Sequence, residues 1–586
     1  MKIINYGLRV EALGSLVLAL LLFPLVTAES PIADAAMHGD VDSVRILIQD
    51  GEEVNAAQGD GMTALHWAAE NGDIEILEML ISAGANPEAV TRLGRYTPLH
   101  LASKIGRETS VVSLLRLGSA VNPRTTTGAV TPLHFAAASG SQVAVKALLD
   151  HGADVDAKEQ QWGQTPLMFA AAFNRTETID LLVTHGADIA MAAKVVDIAK
   201  RQQEDRADQV KWNSLRRTLV ESSVGSSESR QPNSNASIPS NTVSQPIPEV
   251  QLRSVDEIDP LSYADLVGTH GGLTPLLLAV REGHFEAVRT LLDNGADINQ
   301  TSAGDQTSSI LLAAINGHFD LVKQLLEWGA DPNIASDAGG TPLYAVLNME
   351  WAPKSRHPQP VDYMQQQISY LELMEILLEA GVDPNVRLKK NLWYTTYARD
   401  LLGVDRSGAT PFWRAAHATD VAAMELLVRY GADPTIATRK PPDRRRRGEQ
   451  EDFSGLPPVP VGGRAVAPIV AASGVGYGQG FAGNSHRHVP DGWIPSVQYL
   501  VEEHGADVND RDHNGYSPVH HAAARGDNQL ILYLVSLGAD VTVVSRTGQT
   551  TVDLANGPVQ RIQPFPETIA LLESLGAINN HNCLTC

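Results

Sequence analysis

Thr63-Ala64-Leu65-His66 opens a unit that continues through Ala68-Ala69, turns at Asn71-Gly72-Asp73, runs Ile74-Glu75-Ile76-Leu77-Glu78-Met79-Leu80 and stops at Gly84-Ala85-Asn86. The Thr hydroxyl can accept from an otherwise unpaired amide at a helix start. In the sister units a Pro follows, and at the first helical position it loses no hydrogen bond. The short helix that follows is rich in Ala, and small side chains let neighbouring helices approach closely. The second stretch carries apolar residues at helical spacing, so it has one buried stripe. Gly84 past its end suits the left-handed conformation that other residues resist.

The opening phrase recurs at Thr97-Pro98-Leu99-His100, Thr131-Pro132-Leu133-His134 and Thr165-Pro166-Leu167-Met168, each Thr 34 residues after the last. It returns at Thr274, Thr307, Thr341, Thr410, Ser517 and Thr550. The closing phrase recurs as Gly152-Ala153-Asp154, Gly186-Ala187-Asp188, Gly295-Ala296-Asp297, Gly329-Ala330-Asp331, Gly431-Ala432-Asp433 and Gly538-Ala539-Asp540. Cap, stop and spacing repeating in register mark stacked units whose helix pairs bury their apolar sides on one another. Hairpin, Thr-Pro-Leu-His helix, second helix and Gly-Ala-Asp together resemble the ankyrin repeat. The resemblance implies an all-α solenoid with short β-hairpin fingers.

Two arrays joined by a disordered linker are expected. Residues 29–193 form the first, beginning with a terminal cap at Ile32-Ala33-Asp34-Ala35-Ala36 that lacks a Thr-Pro opening. A charged helical extension covers 194–221. The Ser/Pro/Asn-rich segment 222–267 cannot bury much apolar surface and is expected to be a tether. The second array runs 268–578 with inserts near 350–363, 389–402 and 440–491, and a Cys-containing tail covers 579–586. The largest insert splits one repeat, with a degenerate first helix near 466–472 and its second near 495–504. Long loops in a solenoid are expected to carry function.

Before the repeats, Lys2 and Arg9 precede an apolar run at 13–26 and a small residue at Ala28, the layout of a cleaved secretory signal peptide over 1–28. About 14 apolar residues fall short of the roughly 20 that span a bilayer. No membrane span is expected after cleavage, and the location is expected to be periplasmic or secreted. Cysteine occurs only at Cys583 and Cys586, so the repeats do not depend on disulfides. Scarce cysteine favours a bacterial source, and the chain is read as a bacterial-type exported ankyrin-repeat protein.

With 45 Lys and Arg against 68 Asp and Glu, the net charge of −23 repels phosphate backbones, so no nucleic-acid partner is expected. Aromatics make up 5% of residues, which does not suggest a large aromatic ligand pocket. The run Gly474-Val475-Gly476-Tyr477-Gly478-Gln479-Gly480-Phe481 lacks the Lys-Ser/Thr of a phosphate loop. His486 and His488 lack a nearby third ligand, and Arg444-Arg445-Arg446-Arg447 reads as a local acid-binding or solubilising patch. Cys583-Leu584-Thr585-Cys586 is read as a possible disulfide or redox tail. No metal, cofactor or catalytic residue is expected, and no motif proposes an enzyme.

The resemblance assigns a structural role to His66, His100, His134 and His520. It implies partner binding on the concave face, at the finger tips and the exposed ends of the first helices. In this chain those places are Met62, Glu70, Tyr96, Lys104, Trp162, Gln164, Phe173, Arg281, Trp413, His417, Tyr516 and Arg525. The expected function is a monomeric, exported interaction scaffold with a protein partner. The alternatives are a secreted effector acting on host proteins and an accessory subunit of a periplasmic redox enzyme.

Overall fold

A computed structural model of the chain describes residues 30–224, 261–351, 361–392, 403–442, 451–477, 487–557 and 563–582. The expected signal peptide, most of the expected tether, the four arginines at 444–447, the Gly-rich run beyond Tyr477, His486, and Cys583 with Cys586 lie outside those residues. The fold is the expected helical solenoid of ankyrin repeats, and it divides into two units: Met1–Lys194 with Leu273–Asp297, and Val195–Gly272 with Ile298–Cys586.

In the first unit, helix pairs follow one another: Pro31–Met37 with Val41–Gln49, Ala64–Asn71 with Ile74–Ser82, and Pro98–Ile105 with Glu108–Arg116. Then come Pro132–Ser139 with Gln142–Asp150, Pro166–Ala172 with Thr176–Thr184, and Pro275–Arg281 with Phe285–Asp293. Each first helix packs on the next first helix and each second on the next second. The closeness rests on alanines: Ala68, Ala69, Ala102, Ala136, Ala137, Ala170 and Ala171 have no exposed surface. The terminal unit does have an opening cap, Ser30-Pro31, whose hydroxyl accepts from Ala33 N at 3.3 Å.

The boundary between arrays differs from the expected one at 268. The repeat opening at Thr274 packs on the one opening at Thr165, with His284 Nε2 at 3.0 Å from Ala172 O and Ala287 N donating to Asn174 Oδ1 at 3.0 Å. The apolar side of the 166–187 repeat needs a cover, and the next complete helix pair supplies it. The stack therefore continues from the 166–187 repeat directly into the one opening at Thr274.

In the second unit, Val195–Asp197 pairs antiparallel with Thr269–Gly271, Val195 opposite Gly271. The charged helix that follows runs Ile198–Val224, three residues beyond the expected end. Helix pairs resume at Ser309–Asn316 with Phe319–Glu327, Pro342–Glu350 with Tyr370–Glu379, and Pro411–His417 with Val421–Arg429. They continue through Pro468–Ala472 with Trp493–Glu502, Pro518–Ala523 with Asn528–Ser536, and Thr551–Ala555 with Pro566–Ser574. The cap expected at Thr307 is Ser308, whose hydroxyl accepts from Leu311 N at 3.4 Å, and Thr307 instead bonds Asp305.

Between helix pairs the fingers are thin, with isolated antiparallel bridges such as Ala57 to Thr63 and Val544 to Thr550. One amide at each tip donates to the previous finger. In the first unit these bonds are Arg92 N to Asp60 O at 2.8 Å, Thr126 N to Gly94 O at 2.9 Å, Gln160 N to Gly128 O at 2.6 Å and Lys194 N to Trp162 O at 2.7 Å. In the second, Arg439 N reaches Ser407 O at 2.7 Å, His513 N reaches Ala465 O at 3.0 Å and Arg546 N reaches Asn514 O at 2.9 Å. The approach is close enough that a Cβ on Gly61 (φ 89) would stand 2.4 Å from Arg92 N.

Candidate partner-binding surface

The capping histidines set the geometry of the finger face. Thr97 N donates to His100 Nδ1 at 3.1 Å, which leaves the proton on Nε2, and Nε2 donates to Val130 O at 3.2 Å. Val130 is the residue before the next cap, Thr131. His66 serves Tyr96 O at 3.0 Å and His134 serves Gln164 O at 3.1 Å in the same way. Burial holds all three imidazoles below their ordinary pKa, His100 and His134 at about 4. They are neutral connectors between repeats.

Immediately after the capping position come Trp67, Leu101, Phe135 and Phe169, one per repeat. This row runs beside the fingers. The Tyr96 and Phe135 rings lie 5.9 Å apart, His134 meets Phe169 edge-on at 5.1 Å, and Trp67 Nε1 donates to Gln58 Oε1 at 2.9 Å. Apolar groups in the same unit reach solvent at Leu93 (75% exposed), Phe173 (53%), Ile105 (47%) and Trp162 (44%). Trp162 is presented by a turn built on Glu159, whose buried carboxylate accepts from Gln161 N and Trp162 N at 2.6 Å and from Gln164 N at 3.0 Å. A concentration of aromatic and aliphatic side chains of this kind suits anchoring of a protein surface.

The expected contact residues separate into groups. Lys104 is exposed with its ammonium 5.9 Å from the Tyr96 ring centre, Arg281 is exposed and bonds Glu282, and Trp162 and Phe173 are exposed. Glu70, Tyr96, Gln164 and Tyr516 are half-buried, since each is tied to a neighbouring repeat. The Glu70 carbonyl takes Arg107 Nε at 2.9 Å, and Tyr516 donates to Gln549 Oε1 at 2.6 Å.

Met62, Trp413, His417 and Arg525 need correction. Met62 is 8% exposed, directly before a cap, with its carbonyl accepting from Gln58 N at 2.8 Å. Trp413 has no exposed surface, and its Nε1 donates to Val466 O at 2.9 Å. His417 stacks on it at 5.0 Å and bonds Val475 O at 3.1 Å. The Arg525 guanidinium lies 3.9 Å over the Trp493 ring and bonds Ser473 O, His521 O and Asp527. Tyr477 meets the His417 ring at 5.3 Å and forms one ring cluster with His488 and Trp493 beside His417 and Arg525. Met62, Trp413 and His417 are therefore core, and Arg525 is largely enclosed.

Sequence reasoning did not single out Trp67, Phe135, Phe169, Leu93 or Ile105. The signal for the first three was the fixed register of a large apolar residue after the cap.

Among the described residues no group of three or more His, Cys, Asp or Glu is placed to hold a metal, and no helix is long and apolar enough to cross a membrane. A further buried acidic group, Asp512, orders its own finger by accepting from Asn514 N and Tyr516 N at 2.8 and 2.9 Å. Burial works against its ionised form, yet His521 and His513 nearby and the Tyr516 amide hold its pKa below the ordinary value.

A family model described as ankyrin repeats in three copies matches residues 14–91, 32–125, 99–193 and 261–336. A second, ankyrin repeats in many copies, matches 485–535. Myotrophin of Xenopus tropicalis is 42% identical over 52 residues, 9% of this chain and 44% of that protein. Protein phosphatase 1 regulatory subunit 27 of Mus musculus is 38% identical over 69 residues, 12% and 44%. Ankyrin repeat and SAM domain-containing protein 6 of Rattus norvegicus is 36% identical over 85 residues, 14% and 9%. The chain thus spans less than half the length of each of these relatives. With capped helix pairs, finger ladder and matched segments in one register, the chain belongs to the ankyrin-repeat family.

Proposed function

We propose that this chain is an exported, non-catalytic interaction scaffold that acts as a monomer and binds a protein partner through the finger face of its first unit. The observation that carries the reading is the row of half-buried Trp67, Phe135 and Phe169 flanked by exposed Leu93, Trp162 and Phe173. Apolar surface of this kind, set on rigid helix starts and capped turns, gains by being covered. A relative named as a regulatory subunit of a phosphatase supports a role in holding another protein. Export rests on the charged start, the apolar run at 13–26 and Ala28 before the repeats, and a bacterial origin on the scarcity of cysteine.

The test is affinity capture from the source cells and their medium with wild type and with a Leu93→Glu/Trp162→Ala/Phe173→Ala variant. The expected result is a partner recovered by wild type and lost by a variant of unchanged Tm. Equal recovery by both removes this face as the binding surface. Amino-terminal sequencing of the exported protein should begin at Glu29, and a retained Met1 would remove the export reading.

A further inference from the structure

The last fingers of the second unit carry something on their tips. Thr438 N bonds Val466 O at 3.0 Å and Val466 N bonds Thr438 Oγ1 at 3.0 Å, the pattern that Thr125 and Val130 make across five residues. The finger base is thus intact although a loop has been inserted at its tip. That loop is closed at its root by Lys440 N to Gly463 O and Gly462 N to Lys440 O, both 2.8 Å. Its descending limb, Asp452 to Pro457, lies on the tip of a different finger, the one turning through residues 545–549.

Arg546 organises that contact. Its Nε donates to His513 O at 2.9 Å, so the preceding finger holds one edge of the guanidinium. The two outer nitrogens then face the strap: Nη1 pairs with the Asp452 carboxylate and lies 3.3 Å from Leu456 O, and Nη2 donates to Pro457 O at 2.6 Å. Phe453 N donates to Arg546 O at 3.2 Å. The Phe453 ring rests over Gly548, where a Cβ would come within 3.1 Å of it. Most of this recognition is of main-chain groups, in a segment that bends at Ser454 and Gly455 (φ 67), where Ser454 N donates to Asp452 Oδ1 at 2.9 Å. Pro457, Pro458 and Pro460 restrict the backbone after the bend, which lowers the ordering cost.

The contact does not belong to the core. Phe453 is 57% exposed, and the side chains of the Arg546–Asp452 pair are 18% and 40% exposed. Surface contacts of this sort are individually weak, so the segment stays in place chiefly because its tether keeps it near.

We propose that the finger tip formed by Arg546 and Gly548 is a docking site for an acidic, proline-containing peptide, occupied in this chain by its own residues 452–457. A partner segment of the same chemistry binds there by displacing the strap. This deepens the scaffold reading and rests on it for the fingers being a binding surface. It uses residues that the capture variant leaves untouched, so the two fail separately.

The probe is a labelled peptide of residues 451–461, followed by fluorescence anisotropy against full-length protein. Against wild type the tethered copy competes at an effective concentration on the order of millimolar, and binding should be weak. In Asp452→Ala/Phe453→Ala, amide exchange at position 453 should speed up and the peptide should bind at least about tenfold more tightly. Adding Arg546→Ala should remove that gain while circular dichroism and Tm stay as in the parent. Binding no tighter than wild type once exchange at 453 has been released would overturn the proposal. So would unaltered protection at 453 in the double variant, or a gain that survives Arg546→Ala.

Discussion

The repeat opening at Thr97 and the one opening at Thr410 join to their successors by the same bond made from different residues. His100 donates Nε2 to Val130 O, and Trp413 donates Nε1 to Val466 O, each carbonyl belonging to the residue before the next helix start. The first acceptor is 30 residues along the chain and the second 53. The difference is the loop inserted in the second finger between Thr438 and Val466, whose base hydrogen bonds are unchanged. The finger 388–409 does the same, with Leu388 N on Ala409 O at 3.0 Å across the insert near 389–402. Stacking therefore constrains the base of a finger and leaves its tip free to grow. The first unit uses that freedom once, where Ala193 N donates to Leu273 O at 2.9 Å across residues 195–272, and the second unit uses it at the fingers closed by Leu388 and Thr438.

The sharpest way to break the equivalence is Trp413→Ala. A fully buried indole lost without collapse of its site should cost about 4 kcal/mol in urea unfolding. Trp413→Phe, which keeps most of the packing and leaves Val466 O with its other donor, Thr438 N, should cost only about 1 kcal/mol. A loss below about 1 kcal/mol in the alanine variant would mean that the ring is a surface group after all.

What could be read from the sequence follows from how local each cause is. Cap, Pro, Ala pair and terminal Gly act within a few residues, so the helix pairs and their order were legible. Ser30-Pro31 was overlooked because it abuts the expected cleavage site and replaces Thr by Ser. The one-residue displacement from Thr307 to Ser308 reflects two adjacent hydroxyls, of which the one 34 residues after Thr274 caps the helix. Trp413, His417 and Arg525 were placed by analogy of position, but their cover comes from Val466, Val475 and Ser473, supplied by a segment whose path no periodicity specifies. The path of the first unit past its linker was likewise a tertiary matter, since nothing local to Thr274 says which apolar face it will meet.

The histidine version of the joint differs from the tryptophan version in its response to acid. His100 and His134 have folded pKa values of about 4 against an ordinary 6.5, so between those values the unfolded chain binds more protons. Stability is complete above pH 6.5 and is lost as pH falls toward 4, by about 2 kcal/mol per histidine at pH 5. Hydrogen exchange at pH 5 against pH 7 should therefore loosen the first unit around 97–150 before the helices near Trp413. The double variant His100→Leu/His134→Leu should show a shallower change, since Leu277 and Leu311 hold the same place in other repeats with no exposed surface. An identical pH response in variant and wild type would reject the histidines as its source.

The smallest expected effect tests whether finger bases are indifferent to what is inserted at their tips. Asn122 donates to Gly152 O at 3.1 Å and accepts from Asp154 N at 3.1 Å, across 30 residues of regular repeat. Asn385 makes the same two bonds to Gly431 O and Asp433 N, at 2.9 and 2.8 Å, across 46 residues that include an insert. Both side chains are exposed at these bonds, so each alanine replacement should cost about 1 kcal/mol. If the inserts load strain onto the stack, Asn385→Ala should cost clearly more than Asn122→Ala. Equal costs, read as equal shifts in the urea midpoint, mean that a finger carrying a loop binds its neighbour as firmly as one that does not. The tips can then be occupied, emptied or exchanged without altering the solenoid beneath them.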